Sequence, residues 1–166
     1  MSEKLKSLVF VSLDVSRVGT EKEDLPLHVT MVPPFFRVNP DRNEALSESL
    51  HQAFKDLKSF AITGLEDATY GPDEDIPVRK VGGSVLYIVH DMIMPIAARF
   101  DRQIDTTYTG KNYSPHATYI GDRNIKHDER RNIKSLFLAQ KTKAEAPSNW
   151  RILEEYHLGE SNVEWQ

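Results

Sequence analysis

Two short stretches decide the fold, residues 25–32 (LPLHVTMV) and residues 113–120 (YSPHATYI). Both are rich in the β-branched, aromatic and apolar residues that favour strands, and a proline pair follows the first stretch while a glycine follows the second. Each carries a His-x-Thr triplet, which begins at His28 in the first stretch and at His116 in the second. The matching patterns predict two similar short strands that lie far apart in the chain.

Alternation along a strand places residues that are two positions apart on the same face. His28 therefore shares a face with Thr30, and His116 shares a face with Thr118, whereas the residue between them points the other way. Each triplet thus presents an imidazole beside a hydroxyl on a rigid surface. If a pseudo-twofold relates the two halves of the chain, the two pairs face each other across a cleft.

Two imidazoles and two hydroxyls suit phosphoester chemistry. A base must take a proton from the attacking oxygen, an acid must protonate the leaving oxygen, and donors must hold the non-bridging oxygens. Histidine titrates near neutrality, so one copy can be neutral while the other is protonated. Threonine hydroxyls are neutral donors for phosphoryl oxygens. This scheme requires no metal.

The rest of the chain alternates strands and helices in an irregular order. The predicted strands cover residues 7–14, 25–32, 60–70, 84–90, 115–120 and 150–158. One predicted helix begins after a cap at Asn39, a second begins after a cap at Asp91, and a third covers residues 127–140. Residues 71–83 and 106–114 are predicted to be loops. This order favours an α+β or split-sheet fold. Each His-x-Thr strand is followed by a predicted turn, helix and strand, which indicates a repeat of the whole unit.

The composition limits the class of protein. The chain has 166 residues, of which 39% are hydrophobic and 28% charged, which suits one domain or two small lobes with a real core. It has no cysteine, which excludes disulfides and thiolate chemistry. Its net charge of −4 argues against binding to duplex DNA. Without a signal-peptide pattern or a membrane-spanning apolar run, we expect a soluble, cytoplasmic monomer that contacts no membrane.

Residues 25–35 (LPLHVTMVPPF) and 113–121 (YSPHATYIG) resemble the two signature segments of the two-histidine (2H) phosphoesterase superfamily. That superfamily includes the 2′-5′ RNA ligase-like proteins and the cyclic nucleotide phosphodiesterases. Its pattern is His-x-Thr or His-x-Ser followed by a hydrophobic residue, twice and well separated. Met31 and Tyr119 fill the hydrophobic positions here, and Tyr119 departs from the usual aliphatic residue. By motif order and spacing the resemblance covers essentially the whole chain.

The resemblance implies a bilobal, pseudo-twofold α+β fold in which two antiparallel sheets flank a central cleft and helices lie outside, in a single domain over residues 1–166. It implies a metal-independent phosphoesterase without cofactor. The expected substrate is a nucleotide or RNA end with a 2′,3′-cyclic phosphate, a 2′-5′ linkage or a cyclic oligonucleotide phosphodiester, as in RNA processing. His28 and His116 would be acid and base in either order, and Thr30 and Thr118 would hold the phosphate.

Five residues near the motifs are further candidates for substrate contacts. A nucleotide base could stack on Phe35, Tyr113 or Tyr119, and a phosphate or carboxylate could bind Arg37 or Lys111. The simpler interpretation is that the rings pack in the core and that the cations are solvated. Whether these side chains lie beside the two imidazoles distinguishes the two interpretations.

Two other functions are compatible with the same residues. A metal-dependent hydrolase could bind zinc through His28, His116 and a carboxylate such as Asp14, but the sequence has no closely spaced ligand pair such as His-x-His. A binding module that has lost catalysis could sequester a nucleotide or an RNA end. The retention of both histidines and both threonines argues against that loss.

Overall fold

The structure is a computed structural model that describes residues 3–31 and 35–160. Within these residues the chain forms two α-helices, α1 (Asn43–Phe54) and α2 (Ser84–Phe100). Ten strands accompany them: β1 Leu5–Ser12, β2 Glu21–Lys22, β3 His28–Thr30, β4 Phe36–Val38, β5 Phe60–Tyr70, β6 Ile76–Gly82, β7 His116–Thr118, β8 Arg130–Ile133, β9 Ser135–Lys141 and β10 Trp150–His157. Neither of these helices is long and apolar enough to cross a membrane.

The strands pair antiparallel in the order β2-β10-β9-β1-β3-β7-β6-β5-β8, and β4 pairs with the part of β1 that β3 leaves free. The α+β class is therefore confirmed. In this spatial order, one half of the fold runs from β2 to β3 and the other half runs from β7 to β8. The halves are joined through β3 and β7, where Val29 pairs with Ala117. The expected two sheets are thus linked into one continuous hydrogen-bonded sheet.

The sheet has two faces with different roles. Val29 and Ala117 are fully buried in the main apolar core, together with Leu46 and Leu50 of α1 and Ile93 of α2. We call this side the helix face. The opposite side, which carries the histidines and threonines of the two triplets by strand alternation, is called the motif face.

The start of α1 follows the sequence prediction. Asn39 Oδ1 accepts a hydrogen bond from the Asp41 N–H at 3.0 Å, and a short 3-10 turn at Pro40–Arg42 leads into α1. The buried residues of α1 are Leu46, Leu50 and Phe54. The predicted apolar period is therefore confirmed as the core-facing side of this helix.

The predicted strand at residues 84–90 and the predicted helix cap at Asp91 are wrong, because α2 runs without interruption from Ser84 to Phe100. Its buried residues follow a helical period from the first turn: Leu86, Val89, His90, Ile93, Ile96, Ala97 and Phe100. The segment SVLYIVH favours a strand by local propensity. Burial of one helical side against the core outweighs that preference, since most helix stability in proteins comes from such packing.

The predicted loop at residues 71–83 is wrong for most of its length, because β6 occupies Ile76–Gly82. Strand β6 pairs with β5 on one edge and with β7 on the other. Pro77 cannot donate a hydrogen bond, but its carbonyl accepts one from the Tyr119 N–H at 3.2 Å. Pairing on both edges therefore stabilises a strand that its glycine and proline content disfavours.

The predicted helix at residues 127–140 is wrong, because this segment forms β8 and β9. Strand β9 lies between β1 and β10, and residues 136–140 are all buried. A strand that is covered on both faces lacks the polar–apolar alternation that separates a strand from a helix. The second triplet is therefore followed by two strands, and the predicted repeat of a strand–helix–strand unit is wrong.

Candidate active site

The two His-x-Thr triplets lie side by side at the junction of the two halves. Strands β3 and β7 are antiparallel, and the middle residues of the triplets are paired. One residue to either side, this register places His28 opposite Thr118 and Thr30 opposite His116. Directly opposite residues of such a pair have Cβ atoms about 4.5–5.5 Å apart, and diagonal neighbours about 7–8 Å apart. The two imidazoles are therefore diagonal neighbours on the motif face, with a hydroxyl opposite each.

Both imidazoles are oriented by the same kind of hydrogen bond. The Nδ1–H of His28 donates to the Pro26 carbonyl at 2.8 Å, and the Nδ1–H of His116 donates to the Ser114 carbonyl at 2.8 Å. A carbonyl can only accept, so each of these bonds requires the proton on Nδ1. In the neutral ring Nε2 then has no proton and is free to act as a base. When the ring is protonated, the same nitrogen becomes an acid.

An aromatic ring meets each imidazole edge to face. The Phe10 and His28 ring centroids are 5.5 Å apart at an interplanar angle of 73°, and those of Tyr70 and His116 are 4.6 Å apart at 71°. The Tyr70 hydroxyl also hydrogen bonds to Ser114 Oγ at 2.8 Å. Both histidines are half-buried, so these contacts restrict each ring without closing it off from solvent.

Burial lowers the pKa of both imidazoles below the ordinary value for histidine, because a charged ring is poorly solvated there. For His28 the hydrogen bond to Pro26 opposes this effect and raises the pKa, whereas the positive charge of protonated His116 lowers it further. As diagonal neighbours on adjacent strands, the two rings are close enough for the charge of one to act on the other. Protonation of one ring therefore disfavours protonation of the other.

Lys80 adds a cation to the motif face. It pairs with His116 across β6 and β7, and directly opposite residues share a face. Its side chain is 39% exposed, and its Nζ lies 3.7 Å from Glu66 Oε1. An ion pair this exposed contributes little to stability, so the ammonium can turn to a bound anion at small cost.

His90 and Tyr113 link the backbones of the two motifs from the buried side, and we call this pair the brace. His90 is fully buried; its Nδ1–H donates to the Met31 carbonyl at 2.7 Å, and its Nε2 accepts from the Gly110 N–H at 3.0 Å. The ring stacks on Tyr113 with centroids 4.0 Å apart. The Tyr113 hydroxyl donates to the Thr30 carbonyl at 2.9 Å. The brace thus ties the first triplet to the segment that leads into the second.

Replacement of Tyr113 by phenylalanine is expected to lower the free energy of unfolding by about 1 kcal/mol, because one buried hydrogen bond is lost. Turnover is expected to fall about tenfold, because small displacements of reacting groups are costly. Thermal unfolding and kcat measure the two effects. Tyr108→Phe is the matched control, since Tyr108 is 61% exposed. Equal behaviour of the two variants would show that the brace does not position the triplets.

Phe35 and Arg37 lie on the same face as the first triplet. Arg37 pairs with Lys6 of β1, so the two share a face. Lys6 and Phe10 are four residues apart on β1 and also share a face, and Phe10 pairs with Thr30. Lys6 Nζ is 4.6 Å from the centroid of the Phe35 ring, and the guanidinium carbon of Arg37 is 5.1 Å from it. Lys6 and Phe10 are roughly 13 Å apart along the strand. The structure therefore brings these two predicted residues to the motif face, at a distance from the imidazoles.

The remaining predicted substrate contacts are not brought together with the imidazoles. Tyr119 follows Ala117 by two residues and so points to the helix face, where its hydroxyl donates to Asp67 Oδ1 at 2.6 Å. Tyr113 is only 5% exposed and belongs to the brace. Lys111 is exposed in the 3-10 turn Gly110–Asn112 that precedes β7. For Tyr113 the structure supports the packing interpretation, whereas the Tyr119 hydroxyl is engaged by Asp67 and Arg79 at the edge of the fold.

Asp14, the carboxylate considered as a third zinc ligand, is bonded elsewhere. Its Oδ1 accepts from Arg123 Nη2 at 2.6 Å, and its Oδ2 accepts from the Leu27 N–H at 3.1 Å. Within the described ranges no group of three or more histidine, aspartate or glutamate side chains could hold a metal ion. The three side chains of the zinc hypothesis are therefore not gathered into one site.

Sequence reasoning missed Phe10, Tyr70, His90 and the strand position of Lys80. Alternation along β1 was sufficient to place Phe10 on one face, but nothing local indicated which face. Tyr70 and Lys80 reach His116 only through the pairing of β5, β6 and β7. His90 lies in the part of α2 that resembles a strand in sequence.

No protein-family model matches the sequence, and no curated protein does. Solved structures match over almost the whole chain. The protein TT0787 of Thermus thermophilus matches with a TM-score of 0.63 at 14% identity, over 94% of this chain and 100% of its own. E. coli LigT complexed with 3′-AMP matches with a TM-score of 0.62 at 16% identity, over 94% of this chain and 99% of its own. A structure described as a phosphoesterase has the same TM-score, identity and coverage. At these identities the matches establish the fold alone: this chain has the fold shared by TT0787, by LigT and by the structure described as a phosphoesterase.

Proposed function

We propose that the protein is a metal-independent phosphoesterase in which His28 and His116 cleave a phosphodiester of a nucleotide or RNA end. The observation that carries this proposal is the pair of matched Nδ1–carbonyl hydrogen bonds on adjacent strands, at 2.8 Å each. They leave both Nε2 atoms available for proton transfer on one surface. A purely structural histidine pair would have no need for two free nitrogens in this arrangement.

The reaction uses the two rings in opposite protonation states. For a 2′,3′-cyclic phosphate, the neutral imidazole takes a proton from water as its oxygen attacks phosphorus. The protonated imidazole gives its Nε2 proton to the ribose oxygen as the bond from that oxygen to phosphorus breaks. The hydroxyls of Thr30 and Thr118 donate hydrogen bonds to the non-bridging oxygens. Because both imidazoles make the same kind of hydrogen bond at Nδ1, either can be the base. Reversal of the reaction exchanges the two roles.

Lys80 supplies charge stabilisation to this scheme. An ammonium on the same face as His116 and Thr118 attracts the phosphoryl oxygens as negative charge redistributes. Glu66 lies 3.7 Å from this ammonium in an exposed pair that a bound phosphate can replace. Lys80 would thus favour binding of the phosphate and of the transition state.

Replacement of Lys80 by glutamine is expected to lower kcat/KM about tenfold, since one charged hydrogen bond to phosphate is lost. Steady-state kinetics at two salt concentrations measures the effect, and the difference from the unmodified enzyme should shrink at high salt. Lys55→Gln removes the same charge at the exposed end of α1 and serves as control. Equal kinetics for the two variants would remove Lys80 from the site.

A nucleotide substrate is favoured by the surroundings of the triplets. Phe35 lies between two cations on the motif face, and aromatic rings flanked by basic side chains are typical of surfaces that bind single-stranded nucleic acid. LigT, which shares this fold, has been solved with 3′-AMP, with ATP and with NADP+. We therefore propose that a substrate base or flanking phosphate contacts Phe35, Lys6 and Arg37. A location in the cytoplasm and a monomeric state stay predictions.

The decisive experiment is a substrate panel read by phosphorus NMR. It contains a 2′,3′-cyclic nucleotide, a 2′-5′ dinucleotide, its 3′-5′ isomer and a cyclic dinucleotide, each with and without EDTA. Turnover of at least one of the first, second or fourth compounds, unaffected by EDTA, is expected. Loss of turnover in EDTA would favour a metal-dependent hydrolase. Binding without turnover of any compound would favour a module that only sequesters its ligand.

A further inference from the structure

A cavity lies on the helix face, behind the motif strands. Its volume is about 370 Å³, and Leu27 and Tyr119 form part of its wall. These residues adjoin His28 and Thr118 in sequence, and strand alternation turns them away from the imidazoles. A ligand of moderate size fits a cavity of this volume. Such a ligand would not contact the two imidazoles directly.

Basic side chains outnumber carboxylates in the lining of this cavity by four to two, although the whole chain has a net charge of −4. Its lining includes four cations: Arg79, Arg123, Lys126 and Arg131. Three of them are paired with carboxylates, Arg79 with Asp67, Arg123 with Asp14 and Arg131 with Glu129. Lys126 forms no ion pair with any of the described residues. The cavity therefore holds one ammonium that acts on Glu129 by its charge but has no ion pair among the described residues, beside three guanidinium groups.

The arginines also keep unused donors. Arg79 donates through Nη1 to the Leu65 carbonyl and through Nη2 to the Tyr119 hydroxyl, but its Nε is buried and has no hydrogen-bond partner among the described residues. Among the described residues, the Arg123 side chain is bonded through Nη2 alone, to Asp14. A buried donor without a partner is uncommon in folded proteins, but this Nε of Arg79 has no exposed surface that a ligand could reach. The Arg123 side chain is 56% exposed, and a phosphate group has the oxygens to serve its other donors.

Asp122 gives the cavity a second kind of group. It belongs to the lining, and its carboxylate makes no hydrogen bond or ion pair with the residues of the described ranges. An ionised carboxylate can only accept hydrogen bonds, so it suits the hydroxyls of a sugar. A free ammonium together with a free carboxylate matches a ligand that carries both a phosphate and hydroxyl groups.

We propose that this cavity is a second binding site that takes a phosphorylated sugar, such as the ribose phosphate of AMP. Its phosphate binds Lys126 and the free donors of Arg123, and its ribose hydroxyls bind Asp122. The segment that carries most of these groups is held rigidly: the Gly64 N–H donates to the Glu129 carbonyl at 2.9 Å, and the Asp128 N–H donates to the Gly64 carbonyl at 2.9 Å. A Cβ at position 64 would lie 2.1 Å from the Lys126 carbonyl oxygen, so glycine permits this close docking.

The second site is connected to both triplets by hydrogen bonds. Asp14 binds Arg123 and also accepts from the Leu27 N–H, next to His28. Asn124 of the lining donates through Nδ2 to the Ala117 carbonyl at 2.8 Å, in the middle of the second triplet. A phosphate on the free donors of Arg123 would lie beside this Asp14–Arg123 pair. The proposed site and the two motif strands therefore share one network of hydrogen bonds.

The test is titration of ¹⁵N-labelled protein with AMP and with adenosine, followed by proton–nitrogen correlation NMR. It uses the unmodified protein and the variant His28→Ala/His116→Ala, which has lost both imidazoles. AMP is expected to shift the amides of residues 121–129 saturably in both proteins. Adenosine is expected to bind at least tenfold more weakly, since it lacks the phosphate. Shifts confined to the motif strands and lost in the double variant would overturn the proposal, as would equal binding of adenosine.

Lys126→Gln is expected to raise the Kd for AMP about tenfold in the double variant, because a charged contact to phosphate is lost. Lys55→Gln, which removes an exposed charge at the end of α1, should leave that Kd within about twofold, since screened distant charges matter little. Equal effects of the two substitutions would contradict a specific site. Because binding is read without either imidazole, this result is independent of whether the proposed phosphoesterase activity is found.

Discussion

Replacement of His28 or His116 by alanine is expected to lower kcat for phosphodiester cleavage by about 10²–10⁴-fold in each case. Each ring performs one proton transfer, and general acid–base catalysis is typically worth about this factor. The double variant should be little slower than the slower single variant, since the two groups act in one concerted unit and losses of such groups are not additive. The measurement is kcat and kcat/KM on the best substrate of the panel.

The matched control for these variants is His51→Ala. His51 is exposed on α1 and has no predicted part in the site, so its loss should leave kcat unchanged. Circular dichroism and thermal unfolding should show that all three variants retain the fold. Full turnover in either motif variant would refute the proposed function, because none of the other described histidines belongs to a His-x-Thr triplet that could replace the lost ring. Reduced turnover in His51→Ala to the same degree would point to a general loss of stability.

The second large effect concerns pH. The value of kcat/KM is expected to peak below pH 6.5, the ordinary pKa of histidine. In the active form of the free enzyme, one imidazole is protonated and the other is neutral. The population of this form is highest midway between the two pKa values. Burial lowers the pKa of both rings, so that midpoint lies below 6.5. Above the peak the acid loses its proton, and kcat/KM falls about tenfold per pH unit, or about a hundredfold between pH 6.5 and 8.5.

A pH–rate profile of kcat/KM from pH 4.5 to 9 measures this dependence, since kcat/KM reports groups of the free enzyme. The acidic limb should fall as both rings become protonated and no base remains. NMR titration of the two imidazoles in the free protein gives their pKa values independently. A flat profile, or a maximum above pH 7, would mean that the acid and the base of the reaction are not these two imidazoles.

Part of the fold follows directly from local sequence. The boundaries of β5 agree with the predicted strand at residues 60–70, and the cap at Asn39 and the core side of α1 follow from capping chemistry and the helical period. These features depend on residues close together in the chain. Local propensity and periodicity are therefore enough to predict them.

The failures share one cause. Residues 84–90 are strand-like in local propensity but join α2, and residues 127–140 fit a helical period but form β8 and β9. In each case a distant partner decides the structure: the core beneath α2, and the two strands that flank β9. Tertiary packing outweighs propensities that differ by only about 1 kcal/mol per residue. The same dependence on distant pairing hides Lys80 and Tyr70 from sequence analysis.

The sequence by itself determined the chemistry available to this protein. It supplies two imidazoles and two hydroxyls, and the period of two along a strand assigns each pair to one face, because side-chain type and local alternation need no partner. Only the tertiary structure decided that the pairs adjoin, that both Nδ1 atoms are bound to carbonyls, and that Tyr119 and the basic cavity lie on the other face. Those features arise where distant segments pair and pack, and local sequence does not encode which segments meet.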